Sequence, residues 1–209
     1  MSGVIALIDY GMGNLHSVEK ALARVGGRVV RVRDPEEVRT AERVVLPGVG
    51  AFADCMQTLR ARGLDEAVRE SIHAGKPYLG ICLGMQILFA RSHEFGLHEG
   101  LRLAAGDVVP FPEDFPSRGL KIPHMGWNDC VLACPHPVLS ALGDRQVYYV
   151  HSFYCAPEEE RLVAGWCDYG PVRFAAAVAW ENVVGVQFHP EKSQRAGLAM
   201  LEAFVRWRP

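Results

Sequence analysis

Nothing in this sequence is long and apolar enough to cross a bilayer. No run approaches the roughly 18 residues that a spanning helix needs, and the first apolar stretch, from Val4, is cut off at Asp9. That stretch is also far shorter than a secretory leader with its basic flank and cleavage site. Charge of one sign is lacking too: 22 Lys and Arg stand against 24 Asp and Glu, a net charge of −2. Such a balance supplies no basic field for nucleic acid or an anionic membrane. No like-charged block, low-complexity tract or internal repeat is present. The expectation is a cytoplasmic chain that acts on small molecules or proteins, with neither nucleic acid nor membrane as a partner.

Zinc-type spacing is absent as well. The six cysteines, Cys55, Cys82, Cys130, Cys134, Cys155 and Cys167, are scattered. Cys130 and Cys134 have no histidine or cysteine at a recurring ligand spacing, and His93 with His98 makes an equally weak pair. Without a secretory signal, reduced thiols are expected rather than a disulfide framework. No metal and no cofactor are expected.

What is present is enough for one large core. With 209 residues, 49% hydrophobic and 22% charged, the chain reads as a single domain over 1–209. Its first part alternates between two periods. VIALID (4–9), RVVRV (28–32), RVVLPG (43–48) and PYLGI (77–81) read as buried strands. NLHSVEKALARVGG (14–27), DPEEVRTA (34–41), AFADCMQTLRAR (51–62) and LDEAVRESIHAG (64–75) read as helices, with Asp34 as an N-cap and Pro35 at the first helical position. Asn14 sits at the apparent N-cap of the first helix. Repeated β-α-β units predict an α/β fold with a mostly parallel central sheet and helices on both faces. From about residue 100 short strand candidates follow (LRLAAGDVVPF, WNDCVLAC, QVYYVHSFYC, RLVAGWC, RFAAAVAW, VVGVQF). They predict antiparallel additions to the same sheet in the C-terminal third, closed by an amphipathic helix over 197–207.

Gly80-x-Cys82-x-Gly84 has the form of a nucleophile elbow with cysteine in place of serine. Glycines flank such a turn because strand passes into helix too tightly for side chains. A helix N-terminus there favours a thiolate, and the N–H of Leu83 is a candidate oxyanion donor. The motif alone also fits a buried structural cysteine, so a base is needed. Of the eight histidines, His189 ends the run VVGVQF, where open α/β sheets carry their sites, and Glu191 follows two residues later as an orienting carboxylate. Glu191 alone fits an exposed helix start equally well. Together the three give nucleophile, base and orienter.

GICLGMQ and VVGVQFHPEKS resemble the class I glutamine amidotransferases, whose Cys-His-Glu triad hydrolyses glutamine. Within that class DYGMGNLHSV, VLPGVGAF, IPHMGWN, YYVHSFY and Lys192 look like the glutaminase subunits of imidazole glycerol phosphate synthase, in histidine biosynthesis. The resemblance covers essentially the whole chain. It implies that Cys82 attacks L-glutamine, and that Leu83 and the Gly48, Val49 and Gly50 loop hold the oxyanion. Gln86, one turn after Cys82, either reads the polar end of the substrate or caps nearby backbone. The resemblance also implies a heterodimer with a separate (β/α)8-barrel cyclase that receives the ammonia. Asn14, His124, Trp127, Asn128 and Lys192 would lie toward it, although surface packing explains the loop residues as well. Tyr148, Tyr149, His151 and Tyr154 alternate along a strand, so at least two should be core. Glutaminase subunits serving other pathways, a free-standing cysteine hydrolase and a catalytically silent module remain as alternatives. A free-standing hydrolase would run at full rate without a partner.

Overall fold

The computed structural model of the chain describes residues 3–143 and 146–209. In its first half β1 (Val4–Ile8), β2 (Arg28–Val32), β3 (Arg43–Gly48) and β4 (Tyr78–Cys82) alternate with α1 (Leu15–Arg24), α2 (Pro35–Thr40), α3 (Phe52–Ala61) and α4 (Leu64–His73). A single turn, α5 (Leu83–Gln86), leads into β5 (Phe89–Ser92), β6 (His98–Glu99) and β7 (Ala104–Pro110). Then come β8 (His124–Asn128), β9 (Val131–Leu132), β10 (Val147–His151), β11 (Phe153–Pro157), β12 (Val163–Tyr169), β13 (Val172–Trp180), β14 (Val183–Val186) and α6 (Gln194–Arg206).

The main sheet runs β2-β1-β3-β4-β14-β13-β12-β9. Its first five strands are parallel and the last three antiparallel. Alternation along β1 shows how both faces are filled. Ile5 and Leu7 pack with Val18 and Leu22 of α1 and with Met200 and Phe204 of α6. Ala6 and Ile8 pack with Leu59 of α3 and Val68 of α4. Strands covered on both faces bury nearly every residue, which is why they read as unbroken apolar runs. Asp34 caps α2 by accepting from Glu36 N at 2.8 Å, as its position predicts.

The fold class stands, but three expectations are corrected. Strands β7 and β11 do not join the main sheet; they pair with β5 and β6 in a four-stranded sheet, and β10 pairs only with β8. Strand β14 is parallel to β4 rather than antiparallel, because the hairpin at Glu181 and Asn182 reverses the antiparallel β13. Asn182 ties that turn to α4 by donating to Ile72 O at 2.9 Å and to Lys76 O at 2.7 Å. Asn14 occupies the N-cap position of α1, but its side chain makes no capping hydrogen bond.

Arg43, at the start of β3, is 1% exposed, and its Nε and Nη2 have no hydrogen-bond partner among the described residues. Burial pulls its pKa down, and the nearby charge of Arg208 adds to the effect while Glu42 opposes it. An unsatisfied buried cation costs more than it contributes. Arg43→Leu is expected to keep the fold and to raise unfolding free energy by about 1–3 kcal/mol, read from denaturant midpoints. An equal drop would mean that the guanidinium is satisfied in solution.

Candidate active site

Strands β3, β4 and β14 lie side by side and parallel, so their C-terminal ends open on one edge, the usual ligand position in such sheets. Cys82 ends β4, the Gly48 to Gly50 loop leaves β3, and His189 follows β14. The elbow is strained as such turns are: Cys82 has φ 53° and ψ −107°, a conformation costly for a residue with a side chain. Both flanking glycines are sterically required. A β-carbon on Gly80 would strike the carbonyl of Gly84, and one on Gly84 would strike the carbonyl of Leu46.

Gly48 is explained by packing and not by freedom to reorient. A β-carbon there would lie 2.6 Å from Tyr10 Oη and 2.8 Å from Leu83 Cβ, so the glycine lets β3 and the elbow touch. Gly50, at φ 96°, holds a backbone conformation that glycine adopts readily and other residues do not. Cys82, Leu83, Gln86, Val49 and Gly50 share a cavity of about 250 Å³, whereas Gly48 is not part of its lining. The helix after Cys82 departs from expectation. It is four residues long, too short for aligned peptides to build a large dipole.

His189 is fixed at both ends of its residue. Its N–H donates to Tyr148 O at 2.8 Å, its carbonyl accepts from Ser193 Oγ at 2.7 Å, and its Nδ1 lies 3.0 Å from Glu191 Oε1. A carboxylate only accepts, so Nδ1 carries the proton and Nε2 is the free face. That Nε2 is buried without a hydrogen-bond partner among the described residues, as is Glu191 Oε2. Burial opposes charge on this imidazole, yet its contacts with Cys82 and then Glu191 outweigh burial and raise its pKa above the ordinary value. An imidazole oriented by a carboxylate with its other nitrogen free has the placement of a general base for a neighbouring thiol.

The family model for "Glutamine amidotransferase class-I" matches residues 6–207. The imidazole glycerol phosphate synthase subunit HisH of Geobacter metallireducens is 51% identical, over 96% of this chain and 97% of its own length. That of Syntrophotalea carbinolica is 49% identical, over 96% and 98%. The chain belongs to the class I glutamine amidotransferases, in the HisH group. Among solved structures, PurLQS from Thermotoga maritima superposes with a TM-score of 0.74 at 19% identity, covering 98% of each chain. A crystal structure of a glutamine amidotransferase gives 0.71 at 19% identity over 97% and 99%. At that identity the likeness concerns the fold.

In this amidotransferase Gln86 has a structural duty beside its place in the cavity wall. Its Nε2 donates to Phe153 O at 3.0 Å and to Gln187 Oε1 at 3.1 Å. Of the residues expected to face a partner, His124 is turned inward. His124 is 3% exposed, stacked on Tyr169 with ring centroids 4.0 Å apart, and its Nδ1 lies 3.0 Å from His151 Nε2. Asn128 is half-buried, and its amide donates to Asp168 O at 3.0 Å. Trp127 and Lys192 are exposed and meet at Tyr148: the indole packs edge-on with centroids 6.0 Å apart, and Nζ sits 5.7 Å above the ring. Asn14 is half-buried. Tyr149 and His151 are the buried pair on β10.

Sequence reasoning passed over Glu94, in the cavity wall, and Gln187, behind Cys82. Glu94 lines the cavity and accepts from Phe52 N at 2.6 Å; that contact joins residues 42 positions apart, and no local pattern announces it. Gln187 had a signal: a polar residue ending the apolar run of β14, two positions before His189. His151 also lines the cavity, and burial drives its pKa down to about 3. Its two ring nitrogens are engaged, Nδ1 with Phe153 O at 2.9 Å and Nε2 with His124 Nδ1 at 3.0 Å, so it serves as a wall residue.

Proposed function

We propose that this amidotransferase hydrolyses L-glutamine through Cys82, His189 and Glu191, and passes the ammonia to a separate (β/α)8-barrel cyclase with which it forms a heterodimer. The observation carrying this is the buried His189, tied to Glu191 through Nδ1 while its unpartnered Nε2 faces the Cys82 side. The sulfur attacks the side-chain amide carbon, and negative charge moves to the carbonyl oxygen. The N–H of Leu83 and one from the Val49 and Gly50 loop receive it. His189 gives its proton to the departing nitrogen, the C–N bond breaks, and ammonia leaves a glutamyl thioester. Water, deprotonated by His189, then attacks that thioester; the C–S bond breaks, glutamate departs and the thiol is restored. Glu94 provides a carboxylate in the same cavity to oppose the α-ammonium of glutamine.

A partner follows from the product. Ammonia released into neutral water is protonated and lost as a nucleophile, so its consumer must cover the site. The exposed Trp127 and Met125, at 44% and 60%, flank Tyr148 and Lys192, and Tyr148 O is the group that holds His189 N. A cyclase seated on this patch closes the site from above.

The test uses His189 and Glu191. His189→Ala is expected to cost on the order of 10²–10⁴ in kcat, the usual worth of positioned acid–base catalysis. Glu191→Gln should cost less and should move the alkaline limb of the pH profile to lower pH. The sign follows from the carboxylate: Glu191 holds the proton on His189, so without it the imidazolium is lost at lower pH. An alkaline limb that stays in place would remove Glu191 from the assignment.

A further inference from the structure

Gln187 is fully buried, at 0% exposed, and no step above uses it. Its Nε2 lies 3.5 Å from Cys82 Sγ. The direction of that amide is fixed by a chain of contacts that ends on backbone. Phe153 O can only accept, so Gln86 must present its NH2 there, at 3.0 Å. The same NH2 reaches Gln187 at 3.1 Å, and Gln187 must answer with its oxygen. Its own N–H is then left pointing at the sulfur. Turning the Gln187 amide over would set N–H against N–H at one end and carbonyl oxygen against sulfur at the other. His151 Nδ1 lies 2.9 Å from the same Phe153 carbonyl, which anchors the chain from the opposite side.

We propose that Gln187 is a catalytic residue of the glutaminase reaction, donating an N–H hydrogen bond to the Cys82 thiolate from the buried side of the elbow. It supplies what the one-turn α5 is too short to give. The sulfur also lies 4.0 Å from Val150 O, which only accepts, so the donors that would hold a thiolate here are the Gln187 N–H and, on its other side, the unpartnered Nε2 of a protonated His189. When the sulfur bonds to carbon the negative charge leaves it, and the same N–H keeps the thioester sulfur in position for the second step. This inference rests on Cys82 being the nucleophile.

Two variants separate donation to sulfur from simple support of Gln86. Gln187→Met keeps the volume and removes the donor. Gln187→Glu keeps an oxygen to accept from Gln86 but sets an acceptor against the sulfur. For donation, both variants lose roughly ten- to a hundredfold in kcat, the worth of a hydrogen bond to a charged group, with KM for glutamine little changed and Glu at least as impaired as Met. The pH profile of Cys82 alkylation by iodoacetamide should shift to higher pH than in the wild type. Near-normal turnover in Gln187→Glu beside an impaired Gln187→Met, or an unshifted alkylation profile in a folded variant, would overturn the proposal. If alkylating wild-type Cys82 left turnover intact, the nucleophile assignment itself would fail, a separate result.

Discussion

Cys82→Ala is expected to abolish ammonia release from glutamine, while synthesis by the cyclase complex from added ammonium persists. The alanine leaves no sulfur to attack the amide, and the cavity's Ser152 hydroxyl and Glu94 carboxylate lack a thiolate's nucleophilicity. His151 is a buried neutral ring, and the cavity's Gln86 is bound up with Phe153 and Gln187. Cys82→Ser should be nearly as inactive, because a hydroxyl at the same φ of 53° faces the same imidazole with far less nucleophilicity near neutral pH. Losing the covalent step is expected to remove at least ~10⁴ of rate, the scale seen when a triad member is deleted. Coupled assays with glutamine and with ammonium on one preparation check this. Retention of substantial glutaminase turnover would mean that the elbow is only architectural.

The isolated chain is expected to be nearly silent, and nucleotide-loaded cyclase to raise its glutaminase kcat by orders of magnitude with far less change in KM. Gly50 sits at φ 96° on a loop whose Val49 is 42% exposed, so this wall of the cavity is free to be pressed by a partner. One peptide of that loop turned toward or away from the substrate adds or removes an oxyanion donor. A missing donor is worth on the order of 10²–10³ in kcat, and it acts only where charge develops, which is why KM is spared. Gly50→Val should blunt the response. The nearest atom to a β-carbon there is Met12 Sδ at 3.8 Å, so space is not the obstacle. The obstacle is backbone strain at positive φ, severe for a β-branched residue. Steady-state kinetics on wild type and Gly50→Val, each with and without loaded cyclase, give the answer; full activity in the isolated wild-type chain would contradict it.

The βα units up to β4 were legible because their apolar periods are local and their caps, such as Asp34 with Pro35, are chemical signals. The C-terminal strands were legible as strands but not as sheets. Pairing of β5 with β7 or of β8 with β10 is decided by partners distant in sequence, and period alone does not name them. The strand-to-helix turn at Cys82 was legible, but its extent of a single turn, Leu83–Gln86, was not, since Ile87 and Leu88 continue the apolar pattern before the chain turns into β5. The placement of Cys82 at a strand end and of His189 against Glu191 was readable from glycine spacing and from a histidine at a strand end. His124 was not. Its neighbourhood of Pro, Met, Gly and Trp looks like a surface loop, and only stacking on Tyr149 and Tyr169, far along the chain, takes it inside. Gln187 needed the three-dimensional path through Gln86 to Phe153 before its direction had meaning.

The most direct measurement is to react the cyclase complex with a glutamine-like electrophile and locate the adduct by peptide mass spectrometry. Burial pushes the thiols of Cys55, Cys130 and Cys167 up to about 12 and that of Cys155 well above its ordinary value, so these four are protonated and shielded. Cys134 is exposed but lies outside the cavity, where nothing gathers a glutamine analogue. The account predicts one adduct, on Cys82, formed in step with loss of glutaminase activity and suppressed by excess glutamine. Inactivation with the adduct on any other cysteine, or full labelling of Cys82 with activity retained, would contradict it.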